Sequence, residues 1–246
     1  GGAAANPFLI VQSFMLPSEN SASLKVNRTA KTLRMLALEN LRQGILSGRF
    51  RPGDRLVERN LCELLDVSRS IVREALRHLE TEGLVESVSH QGPVVASIDA
   101  DQAAQIYELR AMLESHASGL CAERASDEII EELSRLNDRI QEAFRDADFH
   151  EVLTRTTAFY EILFKGCGQT IAWDMVQSLN ARINRLRAVT ISTQGRSDEA
   201  AIEMKNLVDA LRKRDAVAAR EASRVHVRRV AQLALEALHR NMPASV

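Results

Sequence analysis

The chain has 246 residues, 45 % of them apolar and 26 % charged, with a formal net charge of −1. This length suits one large domain or two modest ones, and the apolar share can bury a sizeable core. The balance excludes a disordered charged tail and a protein that grips polyanions by bulk positive charge alone.

Residues 1–14 open Gly-Gly-Ala-Ala-Ala-Asn with no initiator Met and read as a leader, with Met15 as the native start. Residues 15–28 are Ser- and Asn-rich and aperiodic, a loose tail. No apolar run approaches the roughly 18 residues that span a bilayer, so no membrane partner is expected. Phe8-Leu9-Ile10-Val11 has no positive residue before it, which argues against a signal peptide. Cys62, Cys121 and Cys167 are odd in number and far apart, so they fit neither a disulfide framework nor a cysteine zinc site. A reducing, cytoplasmic location is expected.

Aromatic residues make up only 4 % and prolines number 5, which favours helices. A helix is predicted over 29–47, where Leu33, Ala37, Leu41 and Ile45 repeat at i+4. Gly48 can end it, and Arg51-Pro52-Gly53-Asp54 is a turn. A second helix covers 58–65. Ser68 is a good N-cap for a third over 69–83, with Val72, Ala75, Leu76 and Leu79 facing inward. The period changes over 84–96, where valines flank His90-Gln91-Gly92-Pro93 as in a short β-hairpin. Three helices, a short turn between the last two, and a hairpin outline a winged helix-turn-helix over 29–97. From 98 to 246 only helices are predicted: 100–123, 127–144, 148–165, 170–190, 197–212 and 215–240. The expected architecture is mostly α, a winged helix-turn-helix followed by an all-helical bundle of about six helices.

Arg69, Arg73 and Arg77 are spaced at i, i+4 and i+8 beside the apolar stripe, with Ser68 and Ser70 at the helix start and Arg59 opening the second helix. Arg can bind a guanine edge bidentately, and Ser can bind base or phosphate. The plainer reading is a solvated helix face partly paired with Glu74 and Glu80. Residues 1–97 carry 12 Lys and Arg against 10 Asp and Glu, and the remainder 20 against 23. That asymmetry permits nucleic-acid binding by the first module without establishing it.

Residues 41–95 resemble the winged helix-turn-helix of GntR-family bacterial transcription regulators. The resemblance rests on Ile45-Leu46-Ser47-Gly48 before Pro52-Gly53, on Val67-Ser68-Arg69, on Val72-Arg73-Glu74-Ala75-Leu76, and on Gly83-Leu84 with Gly92 in register. It implies double-stranded operator DNA as partner, with contacts from Arg59, Ser68, Arg69, Ser70, Arg73, His90, Gln91 and Gly92. Pro93 after the wing glycine would stiffen the wing tip.

Residues 106–126 resemble the first helix of the FadR-like ligand-binding domain, the FCD domain. That resemblance implies a homodimer with an enclosed cavity for a small-molecule effector. Many members hold a metal there with an Asp and a His at i, i+4 and one His from each of two later helices. The pair Asp146 and His150 has that spacing, but the register given by Leu163 and Gly168 puts Tyr160 at the His and Thr156 at the Asp. Met204 stands at the second His, and His226 alone is retained. No metal cofactor is therefore expected; the alternative is a member holding Zn or Ni with a carboxylate.

Val152, Thr156, Tyr160 and Leu163 share a helical stripe, as do Met204, Leu207, Val208 and Leu211, and Ala222, His226, Val230, Leu233 and Ala237. Each is ordinary core on the plainer reading. On the cavity reading an anionic effector needs Arg or hydroxyl donors, with Arg110, Arg182 and Arg185 candidates by helix position and Thr156 and Tyr160 by facing. Met204 would suit an apolar effector equally. No metalloprotease, nucleophile-elbow, phosphate-loop or Cys-x-x-Cys motif occurs, so an enzyme is not expected. A non-specific DNA-binding protein is disfavoured by the near-neutral first module. The expected function is sequence-specific, effector-controlled regulation of transcription, with repression as the expected sign.

Overall fold

A computed structural model describes residues 28–241, with side chains from Leu33 to Arg240. The expected leader and most of the tail, residues 1–27, lie outside the described residues. The first module comprises α1 (Arg28–Leu46), α2 (Glu58–Leu65), α3 (Arg69–Thr81), β1 (Val85–Val88) and β2 (Gly92–Val95). The second comprises α4 (Ala100–Arg124), α5 (Asp127–Arg145), α6 (Phe149–Gly166), α7 (Thr170–Ser178), α8 (Asn180–Ile191), α9 (Arg196–Arg212) and α10 (Ala216–Asn241). No helix among the described residues is long and apolar enough to cross a membrane.

The first module closes on Leu41, Ile45, Leu56, Leu61, Val72 and Leu79, all buried. Leu33, expected on the same stripe, is exposed because α1 extends past the elements that cover Ala37 and Leu41. The α3 face opposite the core leaves Arg69, Arg73 and Arg77 exposed. Gly83, at φ 71°, reverses the chain after α3, and the Leu84 amide donates to the Leu79 carbonyl at 2.9 Å. The antiparallel hairpin then pairs Val85 with Val95 and Val88 with Gly92. Pro93 is tolerated because its carbonyl faces away from β1 and accepts from the Leu56 amide at 2.8 Å; its nitrogen lies on that same side, so no bond to β1 is lost. Ser68 occupies the N-cap position of α3 but its hydroxyl does not cap; it lies 2.9 Å from the Ser70 hydroxyl instead.

The second module has its own core, from Ile98 to Ala234. Side chains cap α4, α5 and α6: Asp99, Ser126 and Asp148 accept from the amides of Gln102, Ile129 and Glu151. The two longest helices, α4 and α10, pack together along much of their length, and α5 packs on α6 and α9. The segment 170–190 is two helices rather than one, which makes seven in this module rather than six. The Leu179 amide bonds to the Val176 carbonyl at 3.0 Å in a tight i−3 closure, and the Ser178 hydroxyl takes the Met175 carbonyl at 2.7 Å. The chain turns there and restarts as α8 without any Gly or Pro to mark the break.

Candidate functional site

The first candidate surface is the exposed face of α3 with the wing. Ser68, Arg69, Ser70 and Arg73 are all exposed on α3 and its N-terminal edge, and Arg59 is exposed on α2. The wing turn is Ser89-His90-Gln91, closed by the Gln91 amide on the Val88 carbonyl at 3.1 Å. His90 at φ 65° and Gly92 at φ 79° take left-handed backbone to make it, so the His90 and Gln91 side chains stand out at the tip. Arg73 is paired neither with Glu74 nor with Glu80. Its Nε and Nη2 donate to the two carboxylate oxygens of Glu58, each at 2.9 Å. This hydrogen bond holds the Glu58 carboxyl below the usual carboxylate range. The fork leaves Nη1 of Arg73 free for an acceptor outside the protein, and Glu58 had no place among the sequence candidates.

The second candidate site is a cavity of about 60 Å³ inside the helical module. One water fills roughly 10–15 Å³ of such space, so the cavity holds several waters or a small ligand. Its polar lining is Arg110, Gln141, Thr156, Arg187, Thr190, Arg196 and His226, and Met204 and Val230 add apolar wall. Of the residues singled out in the sequence, Arg110, Thr156, Met204 and His226 come together in this lining. Tyr160 is buried behind the wall rather than in it, its ring centroid 5.4 Å from the Arg187 guanidinium. Arg182 and Arg185 do not reach the cavity. They sit on the opposite face of α8, against the first module, because at about 100° per residue both lie roughly opposite Arg187.

The charges in this cavity are mostly paired. Arg110 Nε donates to Glu114 at 2.7 Å, with both side chains buried. Burial works against the Arg110 charge, but Glu114 outweighs it and keeps Arg110 firmly protonated. Glu114 is likewise held ionised: burial opposes its charge, and Arg110 overcomes that. Arg110 Nη1 has no hydrogen-bond partner among the described residues. Arg196 Nη2 donates to Glu203 at 2.8 Å, and the same carboxylate meets His226 Nδ1 at 2.7 Å. Burial pushes the His226 pKa down in spite of Glu203, so near neutral pH the ring is uncharged. Nδ1 then carries the proton toward the carboxylate, and Nε2 is left as an acceptor.

Arg187 is the exception. It is buried, and its one hydrogen bond to a protein group is Nη1 to Asn184 Oδ1 at 2.9 Å. It forms no ion pair among the described residues. Burial, reinforced by the like charge of Arg110, lowers its pKa to about 10. Arg110 pairs with Glu114, and Arg196 with Glu203 and, at 3.7 Å, with Glu199, so among the described residues Arg187 is the lining guanidinium left without an ion pair for a ligand to neutralise. Sequence reasoning missed Arg187, although Ile183, Leu186 and Thr190 on the same side of α8 are its apolar signal.

Asp146 and His150 are both exposed at the α5–α6 junction and are not part of this lining. Among the described residues no three His, Cys, Asp or Glu side chains converge as a metal site.

The sequence profile of bacterial regulatory proteins of the gntR family matches residues 33–95, and that of the FCD domain matches residues 105–229. The chain is 32 % identical over 176 residues to the Nta operon transcriptional regulator of Aminobacter aminovorans, covering 71 % of this chain and 82 % of that protein. It is 28 % identical over 212 residues to the galactonate operon transcriptional repressor of Escherichia coli, covering 73 % and 86 %. Among solved structures it is similar in fold to E. coli McbR/YncC, with a TM-score of 0.66 at 23 % identity over 85 % of this chain and 97 % of that one.

Proposed function

Since the chain belongs to the gntR family of bacterial regulatory proteins and carries an FCD domain, we propose that it is a homodimeric transcriptional repressor released from its operator by a small organic carboxylate. The chain is a transcriptional regulator and not an enzyme; the sign of control, the dimer and the ligand are the proposal. In this reading α3 and the wing tip meet the DNA. Arg69 and Arg73 read bases from the major groove, Arg59 and the Ser68 and Ser70 hydroxyls meet the backbone, and His90, Gln91 and Gly92 follow the adjacent groove.

The observation that carries the ligand class is Arg187, a buried cation with no carboxylate of its own, beside the unsatisfied Nη1 of Arg110. A carboxylate entering the cavity gains charge-assisted hydrogen bonds from both without any metal. Thr156 and Thr190 supply hydroxyls, and His226 Nε2 accepts from a ligand hydroxyl. The size of the cavity favours a short acid. Repression is supported by the relative named as a repressor of the galactonate operon.

The test combines two measurements on the dialysed full chain. Thermal melts against a panel of two- to six-carbon mono- and dicarboxylates are expected to show stabilisation by at least one acid, and the same acid is expected to weaken operator binding. Elemental mass spectrometry is expected to find no stoichiometric metal. One Zn, Ni or Mn per subunit, or a panel with no stabilising acid, overturns this account of the cavity.

A further inference from the structure

We propose that helix α8 couples the cavity to the DNA-reading surface, with Arg182 and Arg185 as its positioning residues at the head. The inference rests on the ligand reading above and adds its route of transmission.

The two faces of α8 serve different modules. At about 100° per residue, Ala181, Arg182 and Arg185 fall on one side, and Ile183, Leu186, Arg187 and Thr190 on the other. The first side belongs to the head. Ala181 is part of the first module's own core. Arg182 lies so close to Gly83 that a Cβ there would overlap its guanidinium. Arg185 Nη1 donates to the Ala96 carbonyl. The second side belongs to the cavity, through Arg187, Thr190 and Ile191.

The two head contacts fall at the bases of the two elements that meet DNA. Gly83 is the reversal that ends α3. Ala96 follows β2, and its amide donates to the Leu84 carbonyl at 2.9 Å, so its peptide is the root of the wing. Arg185 therefore holds the wing root by the carbonyl whose own N–H belongs to the hairpin. It is a partly buried cation whose protein hydrogen bond is to a neutral acceptor, and burial lowers its pKa. This single charge-assisted bond ties α8 directly to the wing root, so a movement of α8 is felt there.

The cavity end of α8 is exchangeable. Arg187 is held by Asn184, and the Asn184 amide reaches the Thr157 hydroxyl of α6 at 3.4 Å. An anion that draws Arg187 into the cavity competes with Asn184 for it. Released by Arg187, the Asn184 side chain is free to turn, which alters its 3.4 Å tie to Thr157 of α6, and α8 shifts as a rigid rod against its neighbours. Shifts of about 1–2 Å in packed helices are a recognised route for such signals. Here the rod ends on Gly83 and Ala96, so the same shift re-aims α3 and the wing together. Binding energy for the anion is then differential between two head positions, as control requires.

The test is a double-mutant cycle on the full-length protein without ligand, using a duplex selected by the wild type from random DNA. Arg187→Met removes the charge that the anion would neutralise and is expected to weaken binding to that duplex at least threefold. In an Arg185→Ala background the same step is expected to have an effect below 1.5-fold. Asn184→Ala, a milder change, is expected to follow the direction of Arg187→Met. Hydrogen exchange over residues 83–96 is expected to quicken in Arg187→Met and Arg185→Ala alike, and it reads the coupling even where a variant loses DNA binding. Equal effects of Arg187→Met in both backgrounds, or unchanged exchange over 83–96, overturn the α8 route. The carboxylate melts on the wild type bear on the ligand reading separately, since a stabilising acid with an additive cycle leaves the ligand and removes the relay.

Discussion

At the scale of single residues, the helical module depends on how its buried charges are matched. Arg110 and Glu114 stand at i and i+4 on α4, a spacing that brings two side chains together on one helical face. Both are wholly enclosed, so neither is tolerable alone. Glu114→Ala is expected to cost about 3–5 kcal/mol of stability, because it strands a buried guanidinium; chemical denaturation of the variant and wild type measures this. Arg187 is the counter-case, a buried cation that the fold leaves unmatched. On the DNA side, Arg69→Ala is expected to weaken specific binding roughly 10- to 100-fold, the range of one lost bidentate base contact. Anisotropy titrations on the selected duplex and on a random one separate that effect from a phosphate contact, which would weaken both alike. The Arg residues of α3 and the His226 position were legible from spacing. Glu58 and the contact of Glu203 with His226 were not, because each joins two helices that only packing brings together.

At the scale of elements, turns decide where the side chains point. Gly83 takes φ 71°, a conformation in which any Cβ is strained. Gly83→Ala is expected to lower stability by about 1 kcal/mol from backbone strain alone, and to push Arg182 off the end of α3. A drop in melting temperature together with weaker operator binding checks both parts. The winged helix-turn-helix was legible almost element by element, since its stops are Gly48, Gly83 and the Gly92-Pro93 corner, all with local chemical causes. The break at Leu179 was not. It has no Gly, Pro or capping side chain, and it follows from how α7 and α8 each pack on α6. Arg182 and Arg185 were expected at the cavity by helix position, but within α8 they lie roughly opposite Arg187, on the side that meets the first module.

At the scale of the whole molecule, the formal net charge is −1, so phosphate attraction is local to α3, the start of α2 and the wing. Non-specific affinity is expected to be weak, with the selected duplex bound at least a thousandfold tighter than random DNA near physiological salt. Competition anisotropy across a salt series measures it. A steep salt slope with no preference would instead mark a non-specific architectural protein. The helix content, the order of the two modules and the arginine face of α3 were legible in the chain alone, because they follow from periodicity and from Gly and Pro acting on their nearest neighbours. The pairing of the charges, the place of Tyr160 behind the cavity wall, and the two faces of α8 toward cavity and head emerge only once the helices are packed. Pairing and facing depend on which helices meet and at what rotation. That is fixed by the closing of two cores over residues far apart in the chain.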